Sequence, residues 1–205
     1  MSVEDEIIII NLDMGNVGSI KNMCKKAGIK TKISADETKI KNAKKIILPG
    51  VGAFDNAMNK IDELNLRELL DQKVLDEKIP VLGVCLGMQL LMNESEEGMK
   101  NGLGWIKGKT IKFELEKLKI PHMGWNDVNI IKKHSITNKM PFDCRFYFVH
   151  SYYVKCEDKN DILMETNYGI DFTSAVQKNN IIGVQFHPEK SHKFGLQIYK
   201  NFGEI

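Results

Sequence analysis

The chain has 205 residues, 42% of them hydrophobic, which is enough for one domain (1–205) with a full core and calls for no second. Its 29 basic residues nearly balance 27 acidic ones, for a net charge of +2. Gripping a nucleic-acid backbone is therefore not its main business, and small molecules or protein partners are expected. No run approaches the roughly 20 apolar residues that span a bilayer, and MSVEDEIIII lacks the basic start and longer apolar stretch of a signal peptide. These features predict a cytoplasmic protein with no membrane or nucleic-acid partner.

In chain order, IIIIN (7–11) reads as a buried strand, and 19–26, with Gly28 just beyond, as a helix with a C-terminal glycine stop. KKIILP (44–49) is a second strand, 54–77 a helical region, and 80–84 a third strand running into a helix at 86–92. Repeated strand–helix alternation predicts a mainly parallel sheet covered on both faces. The back half changes character: 109–113, 128–132, 145–154, 162–166 and 172–185 are strand-like with short polar breaks, Asn179-Asn180 fits a hairpin turn, and 193–202 closes the chain as a helix. Nine lysines fall between Lys21 and Lys45, read either as a solvated face or as a docking surface for an acidic partner. Cys24, Cys85, Cys144 and Cys156 include no C-x-x-C pair, so reduced thiols are expected, without a disulfide framework or a zinc site. Nothing points to a metal or an organic cofactor, and Trp105 and Trp125 read as packing residues.

The chemistry concentrates in three stretches. In Gly83-Val84-Cys85-Leu86-Gly87 a cysteine sits where a strand turns sharply into a helix, with glycines two residues to either side. That is the spacing of a nucleophile elbow, in which small neighbours let a strained turn pack and hold the reactive atom over the sheet. A helix N-terminus beneath it favours a thiolate. In GVQFHPEKS (183–191), Pro188 pushes His187 towards an extended conformation, so His187 and Glu189, two apart, are predicted to face one site. A carboxylate on one imidazole nitrogen leaves the other free to carry the thiol proton. Pro49-Gly50-Val51-Gly52-Ala53-Phe54 follows a predicted strand, and its glycines free backbone N–H groups to stabilise an oxyanion. It lacks the G-x-x-x-x-G-K-[ST] of a phosphate loop.

PGVGAF, GVCLGMQLL and GVQFHPEKS, in that order, resemble the class I glutamine amidotransferases over the whole chain. PHMGWN (121–126) and FYFVHSY (146–152) are similar to stretches of the glutaminase subunits of imidazole glycerol phosphate synthases. The resemblance implies a flavodoxin-like α/β domain with antiparallel strands in its C-terminal half. It implies a catalytic triad of Cys85, His187 and Glu189, and an oxyanion hole from the backbone of Gly50, Val51 and Gly52 with the Leu86 amide. It also implies an L-glutamine site held by Gln89, Glu97, Ser151 and Tyr152. The implied partner, in a heterodimer, is a (β/α)8-barrel cyclase that uses the ammonia to make imidazole glycerol phosphate, met through Asn16, His122, Met123, Trp125 and Lys190. Where the family's first strand usually ends in D-Y-G-x-G-N, this chain has Asn11-Leu12-Asp13-Met14-Gly15-Asn16. A related subunit feeding ammonia to another synthase, for example in surface carbohydrate modification, is thus the nearest alternative. A self-standing hydrolase of γ-glutamyl bonds and a non-catalytic module are further ones.

Overall fold

The computed structural model describes residues 7–205. The first six, on which much of the expectation about a signal peptide rests, lie outside the described residues. Among the described residues no helix is long and apolar enough to cross a membrane.

The front half builds β1 (Ile7–Ile10), α1 (Val17–Lys26), β2 (Thr31–Ser34), α2 (Glu37–Lys41), β3 (Lys45–Leu48), α3 (Phe54–Glu63), α4 (Arg67–Asp71), β4 (Val81–Val84) and α5 (Leu86–Leu90). The strands are short apolar runs because both faces are covered. Ile8 and Ile10 enter one core cluster while Ile7 and Ile9 enter the other, on the opposite side of the sheet. In α3 the buried residues Phe54, Ala57, Met58 and Ile61 recur at helical spacing. The helical region expected over 54–77 holds α3, α4 and a π turn over Gln72–Asp76, with a break at 64–66, where Asn65 takes a positive φ of 52°. β2 and α2 were not anticipated. Their segment, within the lysine-rich stretch, carries one strand residue and one helix residue that are buried, Ser34 and Ile40.

The back half supplies β5 (Glu94–Ser95), β6 (Gly108–Lys112), β7 (His122–Asp127), β8 (Asn129–Ile130), β9 (Arg145–His150), β10 (Tyr152–Cys156), β11 (Ile162–Asn167), β12 (Asp171–Lys178), β13 (Ile181–Val184) and α6 (His192–Glu204). The main sheet runs β2-β1-β3-β4-β13-β12-β10-β6-β5, with β11 and β8 joined beside β12. Pairings from β2 through β4 to β13 are parallel, and those of β12 with β13, β10 and β11 antiparallel. The expected mixed, mainly parallel α/β architecture is borne out. The stretch 172–185 folds back at Asn179-Asn180 as the expected hairpin, but 145–154, expected as one strand, breaks at Ser151, so that β9 leaves the main sheet to pair with β7.

The first loop departs from the usual family pattern yet is well supported. Asn11 Nδ2 donates to Asp13 Oδ1 at 3.0 Å and Asp13 N–H to Asn11 Oδ1 at 3.2 Å, which holds Asp13 at φ 53°. Asn16 then caps α1, its Oδ1 accepting the Ser19 N–H at 3.1 Å. Replacing Asn16 with alanine is expected to cost about 1 kcal/mol, since an N-cap side chain satisfies one orphan donor. Thermal unfolding checks this, with a fall of roughly 2–4 °C for a chain of this size.

Candidate active site

β4 ends at Val84, and the chain must reverse into α5 within one residue. Cys85 makes that turn at φ 54°, ψ −110°, a region few side chains occupy and one that persists only when its surroundings over-determine it. They do so here. Cys85 N–H donates to Val184 O at 2.8 Å, and its carbonyl accepts the Met88 and Gln89 amides at 3.0 and 3.3 Å. The flanking glycines are contact positions. A Cβ on Gly87 would stand 1.9 Å from Leu48 O, and one on Gly83 2.6 Å from Gly87 O. β3, β4 and α5 therefore pack backbone to backbone, and α5, expected to reach residue 92, stops at Leu90. As the first residue of α5, Leu86 has an amide with no intrahelical acceptor.

β13 lies directly beside β4 in parallel register, Val184 opposite Val84, and its extension carries the second group. His187 Nδ1 is 2.8 Å from Glu189 Oε1. The expected extended path through these two residues is overturned. His187 is extended, but Pro188–Lys190 forms a 3₁₀ turn that curls Glu189 back under the ring, proline being well suited to open such a turn. Ser191, which sequence reasoning missed, anchors the turn. Its buried Oγ donates to His187 O at 2.6 Å and accepts the Tyr147 N–H of β9 at 3.0 Å.

Burial pulls the His187 proton affinity down, but the nearby Cys85 sulfur and the hydrogen-bonded Glu189 carboxylate, both favouring the charged ring, outweigh it, and the pKa is pushed up to about 10. The environment of His187 therefore favours the imidazolium form. Its Nδ1 is committed to Glu189, while Nε2 and the second Glu189 oxygen are buried with no hydrogen-bond partner. Unsatisfied polar atoms at such a depth call for a functional explanation. The stabilisation carried by the raised proton affinity is complete below the ordinary value of 6.5 and is lost as pH rises towards 10. In Glu189→Gln the His187 titration midpoint, followed by NMR of the ring, should fall; an unchanged midpoint would show that the carboxylate does not hold the charge.

Beside Cys85 opens a cleft of about 340 Å³ lined by Val51, Gly52, Leu86, Gln89, Glu97, Pro121, Val149, His150, Ser151, Tyr152 and His187. All four residues expected at a glutamine site are there. Glu97 also caps α3, accepting the Phe54 N–H at 3.0 Å where Ala53 offers no side-chain cap. Desolvation raises its pKa, against the lowering effect of that amide. Of the expected oxyanion residues, Val51, Gly52 and Leu86 line this cleft, while Gly50 is covered by Leu86 and opens instead on a second cleft of about 350 Å³. That second cleft runs along Gly15, Asn16, Glu189 and Lys190, and shares Val51, Val149 and His187 with the first. The imidazole thus stands between the two spaces.

Of the residues expected at a partner face, Asn16 and Lys190 are exposed, Met123 is 61% exposed and Trp125 41%. Trp125 stacks on His192 at 5.4 Å between centroids, and Lys190 Nζ lies 5.5 Å from the Tyr147 ring centre. His122 is the exception. At 3% exposure it points inward, because alternation along β7 sends Met123 and Trp125 out and His122 in.

The family model for class I glutamine amidotransferases matches residues 8–204. The imidazole glycerol phosphate synthase subunit HisH 2 of Methanococcus maripaludis is 57% identical over 197 residues, covering 96% of this chain and 98% of the relative. HisH 2 of Pseudomonas aeruginosa is 48% identical, covering 97% and 99%. HisH of Leptospira borgpetersenii is 45% identical, covering 96% and 98%. Among solved structures, a glutamine amidotransferase superposes with a TM-score of 0.75 at 16% identity, covering 97% of this chain and 99% of that one. PurLQS of Thermotoga maritima gives 0.72 at 15%, covering 96% of each chain. These two show the fold alone. By sequence over nearly its whole length, the chain belongs to the class I glutamine amidotransferases and, within them, to the family of imidazole glycerol phosphate synthase HisH subunits.

Proposed function

We propose that the whole chain is a single cytoplasmic glutaminase domain that works through Cys85, His187 and Glu189 and passes ammonia to a (β/α)8-barrel cyclase making imidazole glycerol phosphate in histidine biosynthesis. The observation that carries this reading is a cysteine held at φ 54° over a cleft, beside an imidazole paired at 2.8 Å with a buried carboxylate.

In the proposed reaction the Cys85 thiolate attacks the side-chain carbonyl carbon of glutamine. The developing oxyanion is met by the Leu86 amide and by backbone amides of the Gly50–Gly52 segment. The His187 imidazolium gives its proton to the leaving nitrogen, so the C–N bond breaks to ammonia and a γ-glutamyl thioester. Neutral His187 then takes a proton from water, the hydroxide attacks the thioester, and thiolate, glutamate and imidazolium are regenerated. Gln89, Glu97 and the backbone at Ser151 and Tyr152 hold the substrate in the 340 Å³ cleft.

Ammonia free in neutral water is protonated and lost as a nucleophile, so its release has to be directed. Support for the route comes from the second cleft, which begins at His187 and reaches Asn16 and Lys190. The partner face is the exposed set of Asn16, Met123, Trp125 and Lys190. The test is glutamate release with and without the same organism's cyclase and its nucleotide substrate. Strong stimulation, lost in Cys85→Ala, supports the reading; activity indifferent to the cyclase defeats its partner half. The second reading, a related subunit serving another synthase, is favoured by the Asn11–Met14 departure in the loop beside Asn16. It predicts stimulation by a different co-purifying synthase only.

A further inference from the structure

One buried polar side chain at the site is absent from the triad, the oxyanion segment and the expected substrate contacts. Gln185, fully buried between Val184 and Phe186, has its amide nitrogen 3.7 Å from Cys85 Sγ. Which end of an amide faces a sulfur is ordinarily ambiguous, since oxygen and nitrogen look alike. Here the neighbours decide it, because backbone carbonyls can only accept.

Two such carbonyls fix the direction of every link. Tyr152 O receives His150 Nδ1 at 2.7 Å and Gln89 Nε2 at 3.2 Å. Gln89 must therefore present its NH2 there, and the same NH2 meets Gln185 at 3.0 Å. Gln185 must answer with its oxygen, which leaves its own NH2 directed at the sulfur. On the other side of Tyr152 O, His150 must carry its proton on Nδ1. When neutral it accepts at Nε2 from His122 Nδ1 at 2.9 Å. His122 Nε2 in turn accepts from Asn126 Nδ2 at 3.2 Å, whose orientation is set by donation to Asn167 O at 2.9 Å. Burial holds both rings neutral, with pKa values lowered to about 4 for His122 and about 3 for His150. The assignment is self-consistent from end to end.

We propose that Gln185 is a further catalytic residue, donating an N–H to the Cys85 sulfur, and that Gln89, His150, His122 and Asn126 are positioning residues that lock its amide in that orientation. This rests on the reading of Cys85 as the nucleophile. A donor to a thiolate is charge-assisted, so it favours the attacking form over the neutral thiol. The five-residue helix α5 offers only a short dipole for that purpose. The array also gives the inward-facing His122 of β7 a task. It connects the strand that carries Met123 and Trp125 on its outer face to the reacting sulfur.

The experiment compares Gln185→Met, unbranched and without a donor, with the parent chain by the pH dependence of Cys85 alkylation by iodoacetamide, with adducts mapped by mass spectrometry. The expected result is alkylation about tenfold slower at pH 7, with the midpoint of the profile moved upward. Gln89→Met should slow alkylation less, and Gln89→Met/Gln185→Met should be no slower than Gln185→Met, because Gln89 acts on the sulfur only through Gln185. In the unmutated chain the Gln185 side-chain amide resonance should move with pH in step with the alkylation profile, a readout that survives should a variant fail to fold. A parent-like profile in folded Gln185→Met, or an amide resonance indifferent to the thiol's ionisation, overturns the proposal. If glutamate release persists after complete Cys85 alkylation, it is instead the nucleophile reading that fails.

Discussion

Cys85→Ala is expected to reduce glutamate release by about a thousandfold or more, because no other group near the cleft can form the thioester and triad members act as one unit. The protein should remain folded. The change removes a single sulfur from a position 7% exposed and leaves the hydrogen bonds of the Cys85 backbone to Val184, Met88 and Gln89 in place. Steady-state glutamate release with thermal unfolding as control makes the measurement. A variant with full turnover would remove Cys85 from the mechanism altogether.

The second large effect is structural. In Gly87→Ala the new methyl group would fall 1.9 Å from Leu48 O, a backbone atom of β3 that cannot swing aside as a side chain could. β3 and α5 must separate, and overpacking of this kind costs about 3 kcal/mol or more, equivalent to a fall of roughly 6–12 °C in Tm at this chain length. The displacement reaches both neighbours of the reacting atoms, since Leu86 follows Cys85 and Gly50 packs on Leu86. Activity should therefore fall with stability. Gly18→Ala, at an exposed position of α1 with only Asn16 Oδ1 at 3.6 Å, serves as the control and should be neutral or slightly stabilising, alanine being the better helix former. Similar Tm losses in both variants would refute the contact argument.

Much of this was legible in the residues because the physics is local. Isoleucine runs buried on both faces can only be interior strands, and G-x-C-x-G announces a strained turn that holds a cysteine over the sheet. Elements whose form depends on distant partners were not legible. β7 escaped notice because its alternation is inverted, with His122 inside and Met123 and Trp125 outside, a pattern that makes sense only once His150 of β9 is seen opposite His122. The break at Ser151 looked like the middle of one strand, although the chain there changes sheets. The approach of Glu189 to His187 was foreseen for the wrong reason, a 3₁₀ turn clamped by Ser191 doing what an extended segment was expected to do. Gln185 could have been flagged as a lone polar residue within an apolar strand end two positions before His187, but its direction depends on Tyr152 O, 33 residues earlier in the chain.

The proposed mechanism requires that Cys85 carry a γ-glutamyl group during turnover. The most direct measurement is acid quenching of the protein with glutamine and the cyclase complex present, followed by proteolysis and mass analysis. The prediction is one γ-glutamyl group on the peptide containing Cys85, absent in Cys85→Ala and without glutamine. Continued glutamate release with no such adduct, or an adduct on another residue, would contradict it.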